Sequence, residues 1–328
     1  MFRAAPTRTP RKPGAPHTQQ PQDSVRTGST RSTAALVRGA SVLVGGVLLA
    51  TASPTTAHAT AAPPGESGTA GGTYVALGDS YAAGAGVPAQ SAGLCMRSDR
   101  DYGHLVAESL APRAYRDVTC AGAKVSALTT AQTDAGEVVN GPQLDAVTPE
   151  ATLITLTVAG DNLGTSDFGF GDVVATCSAL SMTDPLGTPC RDHYKNTLGV
   201  RLDSAATQLD SALRLIHSRA PRARVLVVGY PAVVPDNPEE CLGKMTVTTG
   251  DTAFLRSVLG ELNDAVATTA RAEDATYVDT LTPTLGHDSC SPSPWIEGLF
   301  PASPTLPLHP NATGERAMAR AVLGALDD

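Results

Sequence analysis

Thr73-Tyr74-Val75-Ala76-Leu77-Gly78-Asp79-Ser80-Tyr81-Ala82-Ala83-Gly84-Ala85-Gly86 is the stretch on which the fold of this 328-residue chain turns. Residues 74–77 read as a short buried β-strand. Gly78 and Asp79 then turn the chain, which delivers Ser80 just past the strand end. In open α/β sheets ligands bind in the crevice outside the carboxyl ends of the strands. A hydroxyl there is placed to act as a nucleophile if a base can reach it. Taken alone, Gly-Asp-Ser also fits an ordinary turn, so the rest of the chain has to decide.

Working outward, the same alternation repeats. The apolar spacing of residues 102–110 predicts a helix, and 115–119 predicts a short strand running into Cys120-Ala121-Gly122-Ala123. Residues 151–159 (ATLITLTVA) are β-branched and closed by Gly160, which predicts the clearest strand of the chain. A helical repeat follows at Leu198, Leu202, Ala205, Leu209, Leu213 and Ile216 within 195–219, stopped by Pro221. Residues 224–229 form a continuous apolar run of the kind that a sheet covered on both faces requires. A helix over 252–270, a strand over 275–279 and a closing helix over 311–326 complete the series. Strands alternating with helices predict an α/β fold with a parallel central sheet. No internal repeat or second domain is visible, so residues 73–328 are expected to form one domain.

The N-terminal part has a different composition. Residues 1–33 are rich in Pro, Thr, Gln and Arg and read as disordered. An apolar run over 40–52 and the small-x-small pattern Ala57-His58-Ala59 predict a secretory signal peptide with a long basic leader, cleaved near Ala59. The run is short and interrupted by Gly for a membrane span, so stable insertion is not expected. An uncleaved anchor is the alternative. Residues 60–72 are rich in Pro, Gly, Ala, Ser and Thr and read as a flexible lead-in.

Removing residues 1–59 leaves 17 basic against 31 acidic side chains, a net charge of −14. Phosphate binding needs clustered cations, so nucleic acid is excluded as a partner class. All six cysteines (Cys95, Cys120, Cys177, Cys190, Cys241 and Cys290) lie beyond the cleavage site. An even count in an exported chain implies three disulfides, with 15 connectivities possible. Joining neighbours in order closes three loops without threading, and that pairing is expected. The chain has no Cys-x-x-Cys, and His193 lacks a partner at ligand spacing, so no metal site is expected.

Four spots fall at strand ends or on a loop able to return to them: Ser80, Gly122, the pair Asp161-Asn162, and His309 just before the last helix. Together they offer a nucleophile, oxyanion donors and a base, which is the inventory of acyl transfer. Gly78-Asp79-Ser80, Gly122, Gly160-Asp161-Asn162 and His309-Pro310-Asn311 also stand in the order of the signature blocks of the SGNH (GDSL-type) hydrolases. The chain resembles the secreted actinobacterial esterase and lipase branch of that family from Thr73 to about Leu326. The resemblance implies a three-layer α/β/α, flavodoxin-like fold and a cofactor-free serine ester hydrolase acting on lipid or small-alcohol esters, expected as a monomer. By that resemblance Ser80 is the nucleophile and His309 the general base. The N–H groups of Ser80 and Gly122, with the side-chain amide of Asn162, form the oxyanion hole. Deacetylation of a polysaccharide on the same site, or a catalytically silent binding protein, are the other readings.

The sequence departs from the family pattern at two places. The family's Gly-x-Asn-Asp reads Gly160-Asp161-Asn162-Leu163 here. Ungapped, Asp161 takes the Asn position, whereas a shift of one residue restores Gly-x-Asn with Asn162. A carboxylate at that place repels the oxyanion unless protonated, so Asn162, an amide donor, is the residue expected there. The second departure is Leu306, which stands where many members carry the Asp that orients the histidine. A backbone carbonyl of Leu306 or Pro307 is expected to take that role, unless Asp279 or Asp288 reaches His309. Asp79 is read as a turn residue and His287 as a loop residue placed by Cys290. Trp295 is read as either core or acyl-site lining. Gly-x-Ser-x-Gly is absent, because Ala82 stands at the second Gly, which disfavours the ordinary α/β-hydrolase fold.

Overall fold

The computed structural model of the protein describes residues 71–91 and 93–327; the expected leader, its cleavage near Ala59 and most of the lead-in lie outside them. The strands are β1 (Thr73–Gly78), β2 (Ala114–Asp117), β3 (Gln132–Asp134), β4 (Glu137–Asn140), β5 (Ala151–Thr157), β6 (Arg224–Val228) and β7 (Thr276–Val278). The helices are α1 (Tyr102–Leu110), α2 (Phe170–Ser181), α3 (Pro189–Tyr194), α4 (Thr197–Arg219), α5 (Thr249–Ala272) and α6 (Ala312–Asp327). Five strands form one parallel sheet in the order β2-β1-β5-β6-β7, and β3 and β4 pair as a separate antiparallel hairpin.

Period-two alternation sorts the strand side chains between two cores. Val75, Leu77, Ile154, Leu156, Val225 and Val227 pack against the apolar stripes of α4 and α5. Tyr74, Ala76, Leu153, Leu226 and Val228 face the other way, against α1 and α6. Both faces of the sheet are therefore covered, and the architecture is the expected three-layer α/β/α. The anticipated stripe Leu198, Leu202, Ala205, Leu209, Leu213, Ile216 is buried along α4.

Three elements are additions to the sequence reading. The β3–β4 hairpin is short and mostly exposed, so no alternation marks it. Helix α2 starts at Gly169 with no side-chain cap, and α3 is a six-residue piece ahead of α4.

Strand order decides where a ligand can enter. From β1 the chain moves outward to β2, whereas from β5 it moves to β6 and β7 on the opposite side. The reversal opens a crevice between the carboxyl ends of β1 and β5, the topological switch point of such sheets. Gly78 of β1 lies beside Thr157 of β5, so the loops leaving these two strands start at the same height. The three disulfides join Cys95 to Cys120, Cys177 to Cys190 and Cys241 to Cys290. These are the neighbouring pairs anticipated from the sequence.

Candidate active site

The β1 loop holds Ser80 by saturating its neighbours. Asp79 N–H donates to Thr157 O at 2.9 Å, tying the turn to β5. The Asp79 carboxyl accepts from Tyr81 N–H at 2.9 Å and from the Tyr230 hydroxyl, which itself accepts the Gly160 N–H at 2.7 Å. Tyr230, after β6, thus links the β1 and β5 turns. Burial pushes the Asp79 carboxyl up to about 7, against the donors that favour its charged form. The expectation that Asp79 shapes the turn fits these bonds.

His309 reaches Ser80 across 229 residues of sequence, with Nε2 2.7 Å from Ser80 Oγ. Its other ring nitrogen, Nδ1, lies 2.8 Å from Pro307 O. A carbonyl can only accept, so Nδ1 carries the proton and Nε2 is left to accept the Ser80 hydroxyl. Of the two carbonyls anticipated, Leu306 O is taken by the His309 backbone N–H at 3.2 Å. Asp279 spends Oδ1 on Leu281 and Thr282 N–H, and Asp288 spends Oδ1 on Cys290 N–H.

The segment carrying His309 is pinned on several sides. Leu306 N–H donates to Ala85 O at 3.1 Å, Glu297 N–H to His309 O at 3.0 Å, and the Tyr81 hydroxyl to Leu308 O at 2.6 Å. The Tyr81 ring also packs on the imidazole, with centroids 4.6 Å apart. Desolvation by this packing lowers the His309 pKa to about 4, so the ring is neutral at ordinary pH.

Gly122 enters from the loop after β2, at φ 77°. Any side chain there would be strained by that angle and would meet Asp167, whose Cβ would lie 2.7 Å from the new atom. The flanking N–H groups of Ala121 and Ala123 bond Cys95 O and Cys120 O. Among the described residues no protein acceptor takes the N–H of Gly122 or of Ser80.

These residues line one cavity of about 510 Å³. Its polar end carries Ser80, Gly122, Asp161 and His309; Leu94, Val139, Phe168, Phe170 and Leu259 supply apolar wall. The turn after β5, Gly160–Leu163, contributes Gly160 and Asp161 to the wall. Asn162, anticipated at the oxyanion, instead accepts the Val125 N–H on Oδ1 at 3.0 Å.

This geometry carries the comparison with known proteins. A model of the GDSL-like Lipase/Acylhydrolase family matches residues 76–317. The chain belongs to this family. It is 37% identical over 260 residues to Lipase 2 of Streptomyces coelicolor, covering 77% of this chain and 85% of that one. Among solved structures it is similar to a phospholipase A1 from Streptomyces albidoflavus, with TM-score 0.66, 27% identity, and coverage of 78% of this chain and 99% of the other. An extracellular lipase from Streptomyces rimosus gives TM-score 0.60 and 25% identity, with coverage of 78% and 99%. As a member of the GDSL/SGNH hydrolases the chain is a carboxylic ester hydrolase.

Two further expectations concern the periphery. Trp295 packs against the core rather than lining the Ser80 cavity, with His287 stacked on it at 3.7 Å between centroids. The His287 Nδ1 lies 2.9 Å from Ser293 O, within its own loop. Away from the cavity, Asp101, His104 and Asp117 bring their ligand atoms within 4.8 Å of one another. There His104 Nδ1 is spent on Asp101 Oδ2 at 2.9 Å. Among the described residues no helix is long and apolar enough to cross a membrane.

Proposed function

We propose that this protein hydrolyses carboxylic esters of lipids or small alcohols outside the cell, through an acyl-enzyme on Ser80 with His309 as the base. The observation that carries the reading is the continuous line from Pro307 O through the imidazole to Ser80 Oγ, at 2.8 and 2.7 Å. In this dyad the carbonyl fixes the tautomer but adds no full negative charge to stabilise the imidazolium.

Ser80 Oγ attacks the ester carbonyl carbon while its proton passes to His309 Nε2. The carbonyl π pair moves onto oxygen, where the N–H groups of Ser80 and Gly122 donate to it. Collapse of the tetrahedral intermediate expels the alcohol, which takes the proton back from His309. Water, deprotonated by the same nitrogen, then releases the acid and restores Ser80.

Apolar residues such as Phe168, Phe170 and Leu259 in the wall beside Ser80 support an acyl chain as the bound part of the substrate. They weigh against a polysaccharide. The intact Ser80–His309 hydrogen bond weighs against a silent binding protein. One chain completes the site from its own residues, which supports a monomer. Export is supported by the signal peptide expected from the sequence and by the three disulfides, which persist in oxidising compartments. No cofactor enters the scheme.

The test is hydrolysis of p-nitrophenyl esters from acetate to palmitate. Steady turnover that disappears in Ser80→Ala is the expected result, with rates rising from acetate as the acyl chain fills the apolar wall. Equal rates in the wild type and Ser80→Ala would remove Ser80 from the reaction.

A further inference from the structure

We propose that Asp161, held as a neutral carboxylic acid, is the third oxyanion donor of this site, in place of the amide that Asn162 was expected to supply. The inference rests on the Ser80–His309 reading and extends it.

Placement is the first ground. Asp161 lines the cavity with Ser80, Gly122 and His309. Asn162 is turned to the Val125 N–H and helps fix the loop that carries Gly122. The second ground is the state of the carboxyl. Asp161 is only 6% exposed, and its Oδ2 is buried without a hydrogen-bond partner. The Gly169 backbone packs beside the other oxygen, where a Cβ on Gly169 would fall 2.3 Å from Oδ1. A buried carboxylate without donors is costly, whereas a protonated carboxyl has an O–H to give.

The surrounding charges agree. From the β1 loop Asp79 faces Asp161, from the next loop and α2 come Asp167 and Asp172, and Lys124 after β2 is the cation that opposes them. Tyr81 and Tyr230 adjoin it as neutral hydroxyls, and His309 across the cavity is neutral. Burial first, then these acids, raises the Asp161 pKa well above its ordinary value. Asp79 and Asp161 compete for one proton, and Asp79 already has Tyr81 N–H and Tyr230 O–H as donors. The proton therefore rests on Asp161.

In the reaction the acid donates without transferring. As Ser80 Oγ bonds to the carbonyl carbon and the π pair moves to oxygen, the Asp161 O–H directs its hydrogen at that oxygen and keeps the proton. When the intermediate collapses the hydrogen bond loosens again. An acid kept neutral by its site can serve this purpose as an amide does. Unlike an amide, it turns from donor into repelling charge once it ionises.

That difference supplies the test. Asp161→Asn, Asp161→Ala and Asn162→Asp are compared with the wild type on p-nitrophenyl butyrate at pH 6 and pH 9, with Ser80→Ala as the blank. Asn162→Asp keeps an acceptor for Val125 N–H and replaces the amide donor by a carboxylate. We expect Asp161→Ala to lose about 100-fold in kcat at pH 6, the usual loss for one oxyanion donor. Asn162→Asp should stay within about threefold of the wild type, since large losses follow from removing donors that meet the oxyanion. Asp161→Asn should stay close to the wild type at pH 6 and exceed it wherever rising pH ionises the wild-type acid. Thermal unfolding against pH gives a readout independent of turnover. An acid with a raised folded pKa loses stability as pH rises through that pKa, so the wild-type Tm should fall more steeply toward pH 9 than that of Asp161→Asn. The proposal is overturned by full kcat in Asp161→Ala, or by a loss in Asp161→Asn at pH 6 as large as that in Asp161→Ala. If Ser80→Ala matches the wild type, the parent reading fails instead, and the blank reveals it.

Discussion

The turns after β1 and after β5 leave neighbouring strands side by side, yet they are built on opposite plans. In the first, Asp79 accepts from Tyr81 and Tyr230, and Tyr81 reaches on to Leu308 O beside His309. In the second, Ala159 sits at φ 103°, a region that costs a residue with a Cβ about 1–3 kcal/mol, and the next residue but one, Asp161, has a buried oxygen with no partner. A nucleophile has to be held still, which saturated hydrogen bonds achieve. A developing charge has to be met by groups with nothing else to bond. One crevice needs both environments, and two adjacent strands supply one each.

The contrast breaks most visibly if the saturated turn is not the reacting one. His309→Ala should lower kcat about 10⁴-fold or more, as Ser80→Ala should, and the double variant should be little worse than either, because the pair acts as a unit. Additive losses in the three variants would separate them. The acid limb sharpens the same side. Only the neutral imidazole accepts the Ser80 proton, and its pKa is lowered to about 4 by burial. Plotted against pH from 3 to 7, kcat/KM should therefore hold as pH falls through 6.5 and drop near 4. A midpoint near 6.5 would mean that the ring is solvated.

Tyr230→Phe addresses the link between the turns. It leaves the Gly160 N–H and one Asp79 oxygen unpaired in a buried place, which should cost about 2 kcal/mol of unfolding free energy in a urea titration. The smallest effect is expected for Ala159→Gly. Glycine adopts positive φ freely, so stability should rise by up to about 1 kcal/mol, with kcat unchanged. A loss would show that the buried Ala159 methyl matters more than the backbone angle.

What was legible in the sequence follows the same division. β1, β5 and β6 announce themselves through β-branched runs, and α1, α4, α5 and α6 through apolar repeats, because each buries a face against the sheet. Ser80, Gly122 and His309 stand out in the sequence because serine, glycine and histidine have few substitutes in the roles proposed for them. The choice between Asp161 and Asn162 depends on one residue of register in a tight turn. That register is set by Tyr230 holding Gly160 N–H and by Val125 N–H holding Asn162, contacts 70 and 37 residues apart in sequence. Local pattern carries no trace of them. The ordinary charge of Asp also misdirects, since only the folded surroundings show how few donors it has. The β3–β4 hairpin and α2 went unseen for a simpler reason: one buries little, and the other begins without a capping side chain.

The hydrogen bond between His309 and Ser80 joins positions 229 residues apart. On the proposed reading, a chain cut before His309 keeps the serine but has nothing to take its proton. Proteolysis of that late segment would therefore silence the site without touching the serine.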